Sequence, residues 1–365
     1  MRGTDAPIPD PLGRVPEYLA PGVYVEEVSF RAKSIEGVST STAGFVGSTA
    51  VGPAEEPVLV QSVSELEATF GTDGDLTRAA RAFFAEDGRR LFVQRVDSTA
   101  DLTEGLRKLE SVAEIAVVAA PGADAAAALV DHATRCNRFA LIDPGKGQSI
   151  DEVLALRRGI DSSHTALYYP WLRAADGVDA PPSGFLAGVY ARNDVQRGVW
   201  KAPANITVAS AGNLERPITQ AESELLGSNE INPFRVFTEG QVVVWGARTT
   251  SSDPEWKYVS VRRYFTYLEH SIDRSTQWTV LEPNAEPLWA AMRETLSSFL
   301  DEQFRDGALA GRTADEAYFV KCDQRTMTQD DLDQGLLTCI IGVAPLRPAE
   351  FIEIHIARWT ADHCP

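Results

Sequence analysis

The chain has 365 residues, of which 44% are hydrophobic and 24% charged, a composition typical of globular proteins that excludes a mostly disordered chain. At about 150 residues per domain, this length predicts roughly two domains. Its 34 Lys and Arg residues against 52 Asp and Glu give a formal net charge of −18. Such an acidic surface repels phosphate and anionic lipid, so we expect no nucleic-acid partner and no direct membrane insertion.

The N-terminal region combines a polar arm with a strand. Residues 1–21 are rich in proline and lack the apolar core of a signal peptide, so we expect synthesis and assembly in the cytoplasm. In residues 22–28, GVYVEEV, alternate side chains point to opposite faces, which predicts a strand. The residues expected to form it are Gly22, Val23, Tyr24, Val25 and Glu26.

The next part of the chain alternates short apolar runs with helix-like segments. Beginning with the predicted strand at 42–47, this order favours a parallel sheet with helices on its faces, an α/β fold. Further strands are predicted within 91–96, 115–121, 139–144 and 164–172, and helices within 76–87, 123–136 and 185–194. Residues 173–184 are predicted to be a turn-rich loop, and the VVVWGA run at 242–247 a buried strand.

Two longer amphipathic helices follow, with an apolar residue every three or four positions. The first carries Val261, Phe265, Leu268 and Ile272, and the second carries Leu288, Met292, Leu296, Phe299 and Leu300, with Gly307 as a C-cap. Arg262 and Arg263 lie off the apolar stripe of the first helix and interrupt an otherwise acidic surface. Apolar runs at 318–323, 336–346 and 351–359 predict three more strands.

These patterns divide the chain into four parts. We expect an N-terminal arm and linker at 1–37, an α/β body at 38–254, a smaller α+β module at 255–346 and a C-terminal arm at 347–365. Within the first part, the polar residues 29–37 are predicted to be the linker.

The sequence contains no complete catalytic motif. GSTAVGP at 47–53 has the glycine spacing of a phosphate loop but places Pro53 where the lysine should be. No histidine lies in HExxH and no serine in GxSxG. The candidates for hydrolytic chemistry are the Ser163–His164 pair and His132, and a capping or surface role suits them better. We therefore expect no enzyme activity and no cofactor, the alternative being an α/β hydrolase with an unrecognised active site.

The four cysteines do not indicate a metal site. Cys136, Cys322, Cys339 and Cys364 are far apart in sequence and form no CxxC. Buried free thiols are the simplest interpretation, and disulfides are not expected in a reducing cytoplasm.

Both ends of the chain carry strands without an evident hairpin partner. In the C-terminal run, three isoleucines share one face, opposite a glutamate and a histidine. The residues concerned are Phe351, Ile352, Glu353, Ile354, His355 and Ile356. An unpaired strand leaves an exposed edge unless it adds to the sheet of a neighbouring chain, or, as the alternative for the C-terminal run, closes a sheet of its own subunit. This pattern indicates an assembly protein.

Six segments, in order, resemble the sheath proteins of contractile phage tails and of related extracellular injection particles. The resemblance spans about residues 18–360. The segments are YLAPGVYVEEV at 18–28, TSTAGFVG at 40–47, RGVWKAPAN at 197–205, INPFRVFTEGQVVVWGART at 231–249, YVSVRRYFTYLEHSI at 258–272 and IGVAPLRPAEFIEIHI at 341–356.

The resemblance implies a body of subtilisin-like topology without a protease triad, and a C-terminal module that faces an inner tube. It implies six-membered rings stacked helically around that tube, strand exchange between subunits, and contraction that drives the tube through a target envelope. The implied partners are other copies of the chain, the tube protein, and baseplate and tail-terminator or cap proteins. We place Arg262 and Arg263 at the tube, the alternative being simple solvated charges. The compact length is more similar to sheaths of injection particles released from the cell, although a phage origin stays open.

Overall fold

The structure is a computed structural model that describes residues 34–237 and 240–350. The predicted strands at 22–26 and 351–356 lie outside these residues. The strands are Ala43–Ser48 (β1), Val58–Val60 (β2), Leu91–Val96 (β3), Val117–Ala119 (β4), Phe139–Ile142 (β5), Thr165–Tyr169 (β6), Leu172–Ala174 (β7), Asp179–Ala180 (β8), Ile206–Thr207 (β9), Ala211–Leu214 (β10), Ile231–Val236 (β11), Val242–Val244 (β12), Tyr318–Lys321 (β13) and Ile340–Val343 (β14).

Helices alternate with these strands in the first half of the chain. They are Val63–Phe70 (α1), Asp75–Ala85 (α2), Leu102–Leu109 (α3), Ala126–Arg135 (α4), Ile150–Arg158 (α5), Pro182–Arg197 (α6), Gln220–Ser228 (α7), Val259–Thr276 (α8), Glu286–Arg305 (α9), Ala314–Ala317 (α10) and Gln329–Asp333 (α11). Short 3₁₀ turns occur at Thr99–Asp101, Pro254–Trp256 and Gln277–Thr279. No helix in the described ranges is both long and apolar enough to cross a membrane.

One nine-stranded sheet organises the body, in the order β2-β3-β1-β4-β5-β6-β11-β12-β9. The strands from β3 to β11 pair in parallel, and antiparallel neighbours close both edges. The predicted α/β fold with a parallel sheet is confirmed.

The central strands are apolar throughout because helices cover both faces of the sheet. Along β1, Phe45 belongs to one core cluster and Val46 to the cluster on the opposite face. Along β4, Val117 and Val118 divide in the same way. Successive side chains of a strand point to opposite faces of the sheet, and here both faces are buried. The short apolar runs in the sequence are the signature of that arrangement.

The predicted loop at 173–184 is wrong in detail. It contains the hairpin β7–β8 and the first turn of α6. Gly177 adopts a positive φ of 82° at the turn, a conformation that glycine reaches without strain. Pro182 opens α6 in the first helical turn, where its fixed φ suits the helix and no backbone donor is lost.

The C-terminal helices and strands build a third core cluster. Leu268 of α8, Met292, Leu296 and Phe299 of α9 are buried in it, as the amphipathic pattern predicts. Gly307 lies just past the end of α9 with a φ of 77°, which matches the expected C-terminal cap.

Candidate functional site

The side chain of Arg263 is buried and bonded to two other parts of the subunit. Its side chain is 3% exposed and that of Asp194 on α6 is 2% exposed, with 2.6 Å between Arg263 Nη2 and Asp194 Oδ2. A second bond of 3.0 Å makes the pair bidentate, and the guanidinium lies 4.7 Å from the centre of the Tyr190 ring. Nη2 also donates to the carbonyl oxygen of Thr40. One side chain thus joins α8 to the body and to the chain that enters β1.

Arg262 is buried as well. Its guanidinium stacks 4.4 Å from the Trp256 ring centre and lies 3.1 Å from Glu269. Our premise that these two arginines stand on the subunit surface is wrong, because α8 is contacted on several sides and not only along its apolar stripe. Their contact with an inner tube stays an untested prediction. The surface exposure on which that prediction rested is not found, because both side chains are buried.

Residues 35–40 lie against α8. Ile35 is buried in the third core cluster, the backbone N–H of Glu36 donates to Ser275 Oγ and that of Val38 donates to Ser271 Oγ. Gly37 packs so closely on the ring of Tyr267 that a Cβ there would collide with it. The last part of the predicted linker is therefore fixed to the C-terminal module.

Glu350, at the C-terminal end of the described residues, is likewise held against the rest of the subunit. Its carboxylate accepts bonds of 2.7 and 2.8 Å from Arg248, 2.8 Å from Lys257 and 3.3 Å from the Tyr258 hydroxyl. Burial favours the protonated form, but the hydrogen bonds and charges of Arg248 and Lys257 outweigh it and lower the pKa of Glu350 to about 2. The cluster fixes the first residues of the predicted C-terminal arm to the rest of the subunit.

Glu350→Gln should remove a pH-dependent part of the stability. Because the folded pKa lies below the ordinary value of 4.5, the ionised carboxylate stabilises the fold above about pH 4.5, and the effect fades as the pH falls towards 2. At this partly exposed position we expect about 1 kcal/mol at pH 7. Urea unfolding of both proteins between pH 3 and 7 measures the difference, and a difference that does not shrink on acidification contradicts the assignment.

The β13–β14 hairpin is an incomplete sheet. Its inner side chains join the third core cluster, whereas Phe319 is 48% and Ile340 46% exposed on the outer face. Within the described residues the hairpin forms a sheet of only two strands. Two-stranded sheets are marginal by themselves, and an open edge is a template for a further strand.

The Ser163–His164 pair forms a structural network. Ser163 Oγ lies 3.3 Å from His164 Nδ1, and His164 Nε2 lies 3.2 Å from Asn137 Oδ1, which also accepts from Thr266 of α8. Burial and the charge of Arg262 lower the pKa of His164 to about 4. General bases work best with a pKa near the operating pH, and the pKa of His164 lies well below it. The network suits a structural role for His164, which is to hold α8 against the body through Asn137.

His132 lies in a cluster with the spacing of a metal site. In the described part of the chain, Glu110, His132 and Cys136 each offer a ligand atom within 4.8 Å of the others. Arg138 Nη1, however, lies 3.2 Å from His132 Nε2 and can only donate a hydrogen bond. With Nε2 accepting, the ring proton sits on Nδ1, and neither nitrogen keeps a free lone pair. The donor set does not fit a metal.

No pattern in the sequence singles out Asp194 or Glu350. Asp194 lies on an expected helix without any motif, and Glu350 is one acid among many in an acidic chain. Their partners are 69 and 102 residues away in sequence, so local spacing carries no signal of either pair.

The chain matches two models of one protein family. Residues 96–250 match the model of the phage tail sheath protein central domain, and residues 251–357 match that of the phage tail sheath C-terminal domain. The chain is 22% identical to the tail sheath protein of Escherichia phage P2, over 90% of this chain and 93% of that protein.

Solved structures show the same fold. A chain of the PVC extracellular contractile injection system, in a sheath complex in the contracted state, is 29% identical with a TM-score of 0.83, covering 96% of this chain and 100% of that one. A chain of the six-fold symmetrised anti-feeding prophage baseplate is 30% identical with a TM-score of 0.79, covering 93% and 99%. The chain therefore belongs to the contractile tail sheath family, as the six sequence segments indicate.

Proposed function

We propose that this sheath subunit polymerises as stacked six-membered rings around an inner tube and contracts to drive the tube through a target envelope. The likeness to a contracted sheath complex over nearly the whole chain is the observation that carries the proposal. The six-fold baseplate relative supports the ring symmetry and a baseplate partner. The tube, tail-terminator or cap partners, and the subtilisin-like topology of the body, follow from the family resemblance. Assembly occurs in the cytoplasm, and the polymer is part of a phage tail or a released particle.

The arms are proposed to join subunits by strand exchange. The open β13–β14 hairpin supplies the acceptor, because its backbone edge and its exposed Phe319 and Ile340 suit an added strand of alternating pattern. The donor strands are residues 22–26 and 351–356 of neighbouring copies. Each donor strand forms several backbone hydrogen bonds worth about 0.5–1.5 kcal/mol apiece, and the contact repeats in every subunit.

Negative-stain microscopy of the protein expressed with its tube partner tests the function. Tubes or rings support the sheath proposal. Uniform globular particles, together with measurable esterase or peptidase turnover that His164→Ala removes, would favour the hydrolase alternative.

Removing residues 351–365 should abolish polymerisation and leave a folded monomer. A cut after Leu346 would also remove Glu350 and its ion pairs, so a chain ending at Glu350 is the cleaner variant. Circular dichroism and size-exclusion chromatography check folding, and microscopy checks assembly.

Two point variants sharpen this experiment. Ile354→Lys charges the face expected to be buried by strand pairing, and Glu353→Lys places the same charge on the opposite face. We expect the first to block tubes and the second to permit them. A truncated chain that still forms tubes would contradict exchange by this arm, and one that unfolds would favour pairing within the subunit.

A further inference from the structure

Two cysteines that are distant in sequence face each other across the β13–β14 hairpin. The antiparallel register pairs Lys321 with Ile340 at the last position of the ladder. Continued by one residue, this register sets Cys322 opposite Cys339, and each thiol affects the pKa of the other. Both thiols are free in this structure.

The register places this pair at a position suited to a disulfide. The backbone N–H of Ala344 donates to the carbonyl of Ala317, which marks a hydrogen-bonded pair. Bonded and non-bonded pairs alternate along an antiparallel ladder, so continuing the register by one step puts Cys322 and Cys339 at a non-bonded position. Such pairs have Cα atoms about 4.5 Å apart, with their side chains close. A disulfide requires a Cα separation of about 4.4–6.8 Å.

The chemistry of the pair suits thiol exchange. Cys322 is buried, Cys339 is half-buried, and the guanidinium of Arg293 donates to the carbonyl oxygen of Cys322. The hydrogen bond from Cys339 lowers the pKa of the Cys322 thiol, and the charge of Arg293 adds to this effect against the opposing effect of burial. A thiolate is the attacking species in exchange with a disulfide.

We propose that Cys322 and Cys339 are a redox modification site that closes to an intrachain disulfide with a low-molecular-weight disulfide as oxidant. A thiolate of the pair attacks one sulfur of the small disulfide and displaces one thiolate from it. The second protein thiol loses its proton and attacks the resulting mixed disulfide, displacing the other small thiolate. The two protein thiols lose two electrons and two protons, and the small disulfide is reduced to two thiols.

Closing this bond ties the two strands together at one end. The loop it closes contains α11 and connects β13 to β14, so the hairpin can no longer separate there. The inference holds whether or not the hairpin accepts a neighbour's strand.

The test uses the full chain with Cys136 and Cys364 changed to serine, so that Cys322 and Cys339 are the remaining thiols. The protein is incubated with oxidised glutathione or with dithiothreitol, free thiols are blocked with iodoacetamide, and non-reduced proteolytic peptides are identified by mass spectrometry. We expect a Cys322–Cys339 cross-linked peptide after oxidation, the loss of two hydrogen masses, and slower limited proteolysis within residues 323–338. Cys339→Ser in the same background should abolish all three effects.

Two outcomes would overturn the proposal. One is full iodoacetamide labelling of both thiols after oxidation, and the other is stable glutathione adducts or intermolecular dimers in place of the intrachain bond. Circular dichroism of the reduced protein checks that the serine background is folded. Should that background fail to fold, the same peptide mapping on the wild-type chain decides by whether Cys322 is joined to Cys339 or to another cysteine.

Discussion

Arg263→Ala is expected to destabilise the subunit by about 3–5 kcal/mol, because it leaves the buried carboxylate of Asp194 without a partner. Urea unfolding followed by circular dichroism measures the loss. The same substitution removes the donor to the carbonyl of Thr40, so residues near 40 should also become more sensitive to proteolysis. A marginal subunit could unfold completely, which insoluble expression would reveal.

A matched pair of controls separates the buried charge from loss of packing. Arg263→Met combined with Asp194→Leu removes both charges and retains apolar volume, and replacing both members of a buried pair costs far less than removing one. We expect the double variant to recover most of the stability. Arg262→Ala should cost less than Arg263→Ala, since the partner Glu269 is half exposed and can return to water. Equal losses in all three proteins would contradict the role of the ion pair.

This result bears on any test of the tube surface. Exchanging Arg262 and Arg263 for glutamate would put a second carboxylate beside Asp194 and another beside Glu269. We expect misfolding of the subunit before any effect on the tube. Loss of co-sedimentation with tube would then report the fold of the subunit.

The two arginines show what a helix pattern can predict and what it cannot. The apolar spacing in α8 predicts the helix and its apolar stripe, since the spacing is a property of the helix alone. The same spacing predicts that only one face of α8 is buried. Asp194, Tyr190 and Trp256 cover further faces of α8, and these partners are set by the tertiary fold.

The same distinction holds elsewhere in the molecule. The parallel strands were predictable because burial on both faces leaves a continuous apolar run in the sequence. The pairing of Cys322 with Cys339 depends on the hairpin register, and the Glu350 cluster depends on contacts across 93 and 102 residues. Short-range patterns contain neither kind of information.

The coupling between neighbouring subunits is expected to depend on the chain just before residue 34. From Ile35 to Thr40 the chain is held on α8 by a buried side chain and by hydrogen bonds to Ser271, Ser275 and Arg263. A pull on the N-terminal arm would therefore act directly on the C-terminal module. We expect the part of the predicted linker that precedes residue 34 to transmit this pull.

Inserting three residues between Lys33 and Ser34 should yield normal extended tubes that fail to contract on a trigger that contracts the wild type. The insertion leaves the predicted strand at 22–26 able to pair with a neighbour and does not alter residues 35–40. The added chain is expected to be slack, so that it no longer transmits the rotation of one subunit to the next. The same three residues inserted after Gly177, in the exposed β7–β8 turn where a side chain meets no neighbour, are the control and should leave contraction unchanged. Electron micrographs before and after the trigger score both variants. If the linker insertion contracts as readily as the control, residues 22–26 pair within their own subunit and the arm does not couple neighbours.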